Sequence, residues 1–413
     1  MTAYPKLRRL NLRWTQWEGK EVLVLQDPLR MTENSLVVPQ PLTPFLSLLD
    51  GLRDTEEIAA GFLLRTGVPI PLTQVDLFIK TLDDALLLEN QRFFSTQQEA
   101  LEKYRSAASR TPALAPGGYT DDPAELRRVF DKYCQEVQDG DGEYDSQAVD
   151  GVVGLISPHI DYTRGWKTYA KVWQPARKAV EDADLVILLG TDHNGASGSL
   201  TLTKQSYATP WGVLPTDIDL VDRLIEILGE ERAFTEEVNH IGEHSIELAS
   251  VWLHYMAGGK PKNVLPILCG HHEAAIASTV GEDVDQDFRP LWDALALLAE
   301  LAYEPNVLVV AAADISHIGP AFGDSDPIDD TGKSGVQTTD LKWLEAACSG
   351  NSDLMAKYIL QNGDPTRICG LAPIHHMVTL LDGSTGRTLD YDQCAADDDF
   401  GSLVSIAGTL FTR

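Results

Sequence analysis

From about residue 152 onward, short apolar runs alternate with longer stretches whose apolar residues recur at helical spacing. The run at 185–189 is uninterrupted and rich in branched residues, and it breaks at Gly190 into a polar turn carrying Thr191, Asp192, His193 and Asn194. Comparable runs are VVGLIS before Pro158, NVLPILCG at 263–270, NVLVVAAADISHIG at 306–319 and SLVSIAGTLFTR at 402–413. Between them the spacing predicts helices near 166–181, 218–228, 245–256, 291–303, around Trp343, near 354–360 and at 374–381. SLTLTKQSY at 199–207 alternates like a half-buried strand, and TPWGVLPTD after it reads as an exposed loop. Strands alternating with helices of this length predict an α/β fold: a mostly parallel central sheet with helices on both faces.

The first 95 residues have a different texture. EVLVLQDP and NSLVVPQ read as two strands around a turn, and 44–64 and 73–88 carry helical periodicity, so the order β-β-α-α predicts a small α+β, winged-helix-like module. Its helix surface is acidic, which argues against DNA binding and for docking of a peptide or partner, or for passive packing. Residues 96–116 are polar and run into AASRTPALAPGG at 107–118, the composition of a linker. The α/β domain then spans 117–413, beginning with an amphipathic helix from DDPAELRRVF, with Asp122 as its cap and Pro123 in its first turn. The acidic GDGEYDSQ at 140–147 lacks the closing glutamate of a calcium loop and reads as a solvated loop.

Composition narrows the function. A formal charge of -29 repels polyanions, which excludes nucleic acid and anionic membrane surfaces as partners. No apolar run approaches the ~20 residues of a membrane span, and MTAYPKLRRLNLRW lacks the apolar core of a secretion signal, so the expected location is cytoplasmic. The five cysteines, Cys134, Cys269, Cys348, Cys369 and Cys394, show no CxxC spacing and indicate neither a disulfide framework nor a zinc ribbon.

The candidate chemistry lies in histidines at element boundaries: His159 after one strand, His193 after another, His244 at a helix start, and His317 near a strand end with Asp314 beside it. One such histidine commonly serves packing alone, but several at matching positions point to a shared site built at the carboxyl ends of the strands. Histidine serves there as metal ligand or proton carrier. The pairs His271–His272 and His375–His376 point different ways along their elements and read as surface or packing residues.

SPHIDY at 157–162, GTDHNGAS at 190–197, EHSIEL at 243–248, LPILCG at 265–270, ADISHIG at 313–319 and TRICGLAPI at 366–374 resemble, in the same order, the successive motifs of the Memo family. The resemblance covers the chain from about Gly117 onward. It implies a fold similar to that of the class III extradiol ring-cleaving dioxygenases, which use non-heme iron, and for prokaryotic members a place in a system with a radical-SAM enzyme. The N-terminal module resembles the small winged-helix or peptide-chaperone domains found beside radical-SAM maturation systems.

Carried over by motif, the resemblance implies a single transition metal, iron or copper with zinc as a third choice, held by His159, His193 and Cys369. The other pocket residues fall on His244, Asp314 and His317, with roles in moving a substrate proton and in orienting an imidazole, and Tyr162 is expected at the pocket mouth. Two imidazoles and one anionic donor leave open positions for ligands, the logic of a mononuclear site. The third ligand departs from the carboxylate of the ring-cleaving enzymes: a thiolate is softer and favours copper or zinc. Relative to the vertebrate Memo pattern, Ser316 stands where that branch has a second cysteine, and Asn194 replaces the second of a tandem pair of histidines. Two functional classes follow, a metal-dependent oxidoreductase and a non-catalytic metal- or peptide-binding redox or docking module. A zinc hydrolase is a third, although no HExxH is present.

Overall fold

The computed structural model describes residues 4–32, 35–140, 147–271, 275–276 and 286–413. His272 and residues 141–146 of the acidic loop lie outside them. The chain divides into two compact units, Met1–Ser106 and Ala107–Arg413.

The first unit contains an antiparallel sheet of β1 (Asn11–Trp17), β2 (Lys20–Gln26) and β3 (Leu36–Pro39). Helices Thr55–Thr66, Leu72–Asp84 and Gln91–Ser106 follow. Leu23, Leu25, Val38, Phe45, Ile58 and Leu82 form its core. β1 was not expected. Almost every residue in it is exposed, so the strand carries no in-out alternation to read. The expected linker at 96–116 is also corrected: residues up to Ser106 are helical, anchored by buried Phe93 and Tyr104 at helical spacing.

In the second unit, an eight-stranded sheet is built on β4 (Val152–Ser157), β5 (Leu185–Thr191), β9 (Asn263–Cys269) and β10 (Val307–Ala312). These four are parallel, in the spatial order β4-β10-β5-β9. Antiparallel strands complete it: β6 (Leu200–Leu202) beside β9, and β13 (Leu403–Thr412) beside β4. β11 (His317–Ile318) and β12 (Thr385–Ala395) both pair with β13. The expected α/β class, with its parallel centre and helices on both faces, is present. β12 was not foreseen, and TPWGVLPTD is not an open loop: β7 (Tyr207–Thr209) and β8 (Gly212–Leu214) form a hairpin. Tyr207 and Leu214 are both buried there, which fixes an otherwise exposed turn.

β5 shows why the parallel centre forms. Every residue in it is buried, and alternate side chains enter opposite layers. Leu185, Ile187 and Leu189 join the core under helices Ile218–Leu228, Arg289–Ala302 and Leu371–Leu380, while Val186 and Leu188 join that under Tyr162–Trp173 and Ser245–Met256. Gly190 lets the start of helix Ser245–Met256 approach the strand, because a Cβ there would stand 2.5 Å from Ile246 Cγ1 and 2.7 Å from Ser245 Oγ.

Residues 107–119 are tied down. Arg110 and Glu247 form an ion pair of 2.6 Å with each side chain 1% exposed. The Glu247 carboxylate also accepts the N–H groups of Ala113 (2.7 Å) and Leu114 (3.0 Å) and the Tyr119 hydroxyl (2.8 Å). Burial alone raises the Glu247 carboxyl, but Arg110 and those two N–H groups outweigh it and hold the group below its ordinary value. Glu247→Ala therefore leaves a buried guanidinium uncompensated and is expected to cost about 3–5 kcal/mol in urea unfolding. Because the folded value is depressed, this stabilisation is present above the unfolded value of about 4.3 and is lost as pH falls below it. The stability gap between wild type and Glu247→Gln should accordingly hold from pH 6 to 5 and narrow on acidification below about pH 4.3.

Candidate metal centre

The parallel strands end level with one another: Ala312 pairs with Ser157 on one side and with Gly190 on the other, and Thr191 pairs with Cys269. The residues just beyond these ends share one rim of the sheet. His159 follows β4, His193 follows β5, and Asp314 follows β10. Cys369 joins them from the turn before helix Leu371–Leu380, where its N–H donates to the Ile315 carbonyl (3.3 Å) and Thr191 Oγ1 donates to its carbonyl (3.2 Å). That turn presses on the rim through Gly370, whose absent Cβ would meet the Asp314 carbonyl oxygen at 2.4 Å. Arg367, two residues before Cys369, has a φ of 56°, a left-handed conformation uncommon outside glycine.

Ligand atoms of His159, His193 and Cys369 all lie within 4.8 Å of one another, and Cys369 Sγ is 3.3 Å from His159 Nε2. Each imidazole has one nitrogen committed elsewhere. His159 Nδ1 lies 3.0 Å from the Ala312 carbonyl, which only accepts, so Nδ1 carries the proton and Nε2 is left for the site. His193 Nδ1 lies 2.9 Å from Glu243 Oε2 with the same result. Committing one ring nitrogen to a carbonyl or carboxylate is the usual way a protein prepares a metal-ligating histidine. Donors bound to one tetrahedral ion at about 2.0–2.3 Å stand about 3.3–3.7 Å apart, and the 3.3 Å between Cys369 Sγ and His159 Nε2 falls in that range.

Glu243 was not singled out from the sequence, although it opens the EHSIEL segment. Its Oε1 accepts the N–H groups of His244 (2.8 Å) and Ser245 (3.0 Å), and its Oε2 accepts the N–H of His193 (3.2 Å) besides the ring. Ligand atoms of His193, Glu243 and His244 also fall within 4.8 Å of one another, but both oxygens of Glu243 are already engaged, which makes it a support for the site. Asp192 was likewise passed over. Both its oxygens lie 3.0 Å from Asn239 Nδ2, and burial, partly offset by that amide, pushes it up to about 6.

The remaining expected residues surround the three donors. The His244 ring stacks on His193 at 5.1 Å and an interplanar angle of 11°, and stands 5.3 Å from His159. His317 Nδ1 is fixed on the Ile315 carbonyl at 3.0 Å. Asp314 does not fix an imidazole tautomer, which falls to the Ala312 carbonyl. Its Oδ1 accepts the N–H groups of His159 (2.8 Å) and Ile160 (3.3 Å), and its Oδ2 stands 3.8 Å from His159 Nε2. Tyr162 does not line a pocket mouth. It is buried, its hydroxyl donates to the Leu248 carbonyl (2.9 Å), and its ring packs among Tyr119, Phe130 and Tyr169. His375 and His376 are buried in helix Leu371–Leu380, and His271 is exposed. A cavity of ≈ 470 Å³ adjoins the site, lined by Thr191, Asp192, His193, Ile368, Cys369 and Leu371 among others.

The charges reinforce one another. Burial opposes a thiolate at Cys369, but His159 and His317 outweigh it and hold the group well below the ordinary thiol range. Burial lowers His159 while Asp314 and Cys369 raise it, with a net rise to about 9. Glu243 and Cys369 raise His193 well above its ordinary value against the same penalty. Burial instead pushes Cys134 up to about 11 and Cys394 to about 12, and it raises Cys348 and Cys269 as well. Since the thiolate is the nucleophile, Cys369 should be alkylated by iodoacetamide well before the other four at pH 7. Peptide mass spectrometry reads the order, and Cys369→Ser should remove the fast phase. A first reaction at Cys134 or Cys394 overturns the charge assignment.

A family model described as Memo-like protein matches residues 110–410. A MEMO1 family protein of Aquifex aeolicus is 24% identical over 415 residues, covering 98% of this chain and 99% of its own. MEMO1 family protein TTHA0924 of Thermus thermophilus is 25% identical over 338 residues, 82% of this chain and 93% of its own. With a family match that spans most of the chain, including every rim residue described above, the chain belongs to the Memo-like family.

Proposed function

We propose that the protein is a metal-dependent oxidoreductase with a mononuclear centre at His159, His193 and Cys369, resembling the non-heme extradiol dioxygenases. The observation that carries this reading is the convergence of two singly committed imidazoles and a stabilised thiolate within 4.8 Å beside an accessible cavity. A bound iron or copper ion supplies open coordination positions and one-electron redox chemistry.

The chain's own residues do the rest. Asp314 and the Ala312 carbonyl hold His159, and Glu243 holds His193, so both Nε2 atoms are aimed before any ligand arrives. Ile368, Leu371 and Ala372 give the cavity an apolar wall that limits water around a small catecholic or enediol substrate. His317, with Nδ1 on the Ile315 carbonyl and a hydrogen bond to the Cys369 side chain, is the first group to move a proton in this reading. Burial opposes its protonation, but Cys369 and Asp314 favour it, so its net shift is upward. His244, stacked on His193 and one-third exposed, is the second group placed to hold a substrate proton.

The softness of the thiolate favours a second reading, a non-catalytic metal-binding redox or docking module that works with a radical-SAM partner. Oxygen uptake with a catechol panel, measured on iron-loaded and copper-loaded protein, separates the two, because only the first reading consumes oxygen with substrate. His159→Ala and His193→Ala should each abolish stoichiometric metal binding by elemental analysis. Glu243→Gln should retain the ion but weaken its affinity about 10–100-fold. Unchanged metal content in both histidine variants contradicts the ligand assignment.

A further inference from the structure

Arg110 does not line the cavity and belongs to none of the motifs at the rim, yet it is 1% exposed and its guanidinium is used on all sides. Nε donates to the His240 carbonyl (2.7 Å), Nη2 to the Glu243 carbonyl (2.7 Å), and Nη1 to Glu247 (2.6 Å). The residue is itself anchored. Its N–H donates to the Ser206 carbonyl (2.7 Å), its carbonyl accepts the N–H of Ala208 (3.0 Å), and its guanidinium lies 5.0 Å from the Tyr207 ring.

Of the carbonyls it grips, that of His240 lies inside the short helix Asn239–Gly242 and that of Glu243 directly follows it. The same Glu243 turns its carboxylate to the His193 ring and to the N–H groups of His193, His244 and Ser245. We infer that Arg110 is a positioning residue for the metal centre: by clamping the backbone of 240–243 it sets where the Glu243 carboxylate stands, and through it the orientation of His193. The inference rests on the metal-centre reading above. A planar, always charged fork suits the task, since it reaches two carbonyls and a carboxylate from one fixed point. A lysine reaches one or two of them without the fixed geometry. The consequence is that the segment at 107–119, which contacts no ligand, tunes the site.

Two readouts separate positioning from mere stability. The first is the affinity for Co(II) ions alone, followed by the thiolate-to-metal absorption. The second needs no metal: long-range ¹H–¹⁵N NMR of the His193 ring in the metal-free protein, which reports whether Nδ1 keeps its proton on Glu243. Arg110→Met should weaken Co(II) binding about 10–100-fold, the range expected for loss of a ligand-orienting contact, and should broaden or split the His193 ring signals. Leu298→Ala, a core truncation in helix Arg289–Ala302, is a control that lowers thermal stability and should move neither readout. Should Arg110→Met fail to fold, Arg110→Lys carries the test, with an intermediate loss of affinity and the same direction of change at His193. Affinity within twofold of wild type and unaltered His193 signals in the folded variant overturn the inference. If wild type itself takes up no Co(II), the metal-centre reading fails, and the NMR arm still decides whether Arg110 orients His193.

Discussion

The site depends on one buried carboxylate. Glu243 accepts the ring N–H of His193 and the backbone N–H groups of His193, His244 and Ser245. Taking a charge out of water is costly unless it is paired and hydrogen-bonded, and here the same contacts that satisfy it also begin a helix and aim an imidazole. Burial pushes the Glu243 carboxyl up, and His193 and His244 bring it well below its ordinary value. The Glu243 carboxylate and the Cys369 side chain both favour a charged His193, and His159 and His317 favour the thiolate at Cys369.

The sheet makes that arrangement reachable. Residues 159, 193 and 369 are far apart in sequence, and only the common rim of parallel strands brings them within a few ångströms. Close approach at the rim needs the missing side chains of Gly190 and Gly370, where a Cβ would collide with the elements that carry Ser245 and Asp314.

Much of this is legible in the amino-acid pattern. The strands of the parallel centre are buried on both faces and read as plain apolar runs, and the helices covering them keep their period; β5 and helix Ile218–Leu228 lie where the pattern put them. The misses share a cause, since burial did not leave its periodic mark. β1 is exposed throughout, β12 is only part-buried, and the hairpin of β7 and β8 is held by neighbours. At the site, the histidines and Cys369 stood out by residue type and motif. Glu243 and Arg110 did not, because their importance lies in what they hold: an acidic residue beside a histidine, and an arginine in a polar stretch, look the same whether solvated or buried. The tautomer of His159 is set by a backbone carbonyl, that of Ala312, which no side-chain pattern can signal.

In the proposed centre a thiolate among the donors is what distinguishes it from a carboxylate-ligated one, and it is the point on which the proposed chemistry turns. X-ray absorption at the zinc edge of protein loaded with one equivalent of Zn(II) tests it directly. The account predicts one sulfur scatterer at about 2.3 Å with nitrogen scatterers at about 2.0–2.1 Å, the sulfur shell vanishing in Cys369→Ser. A shell of nitrogen and oxygen alone in the wild type, or a sulfur shell that survives the substitution, contradicts it.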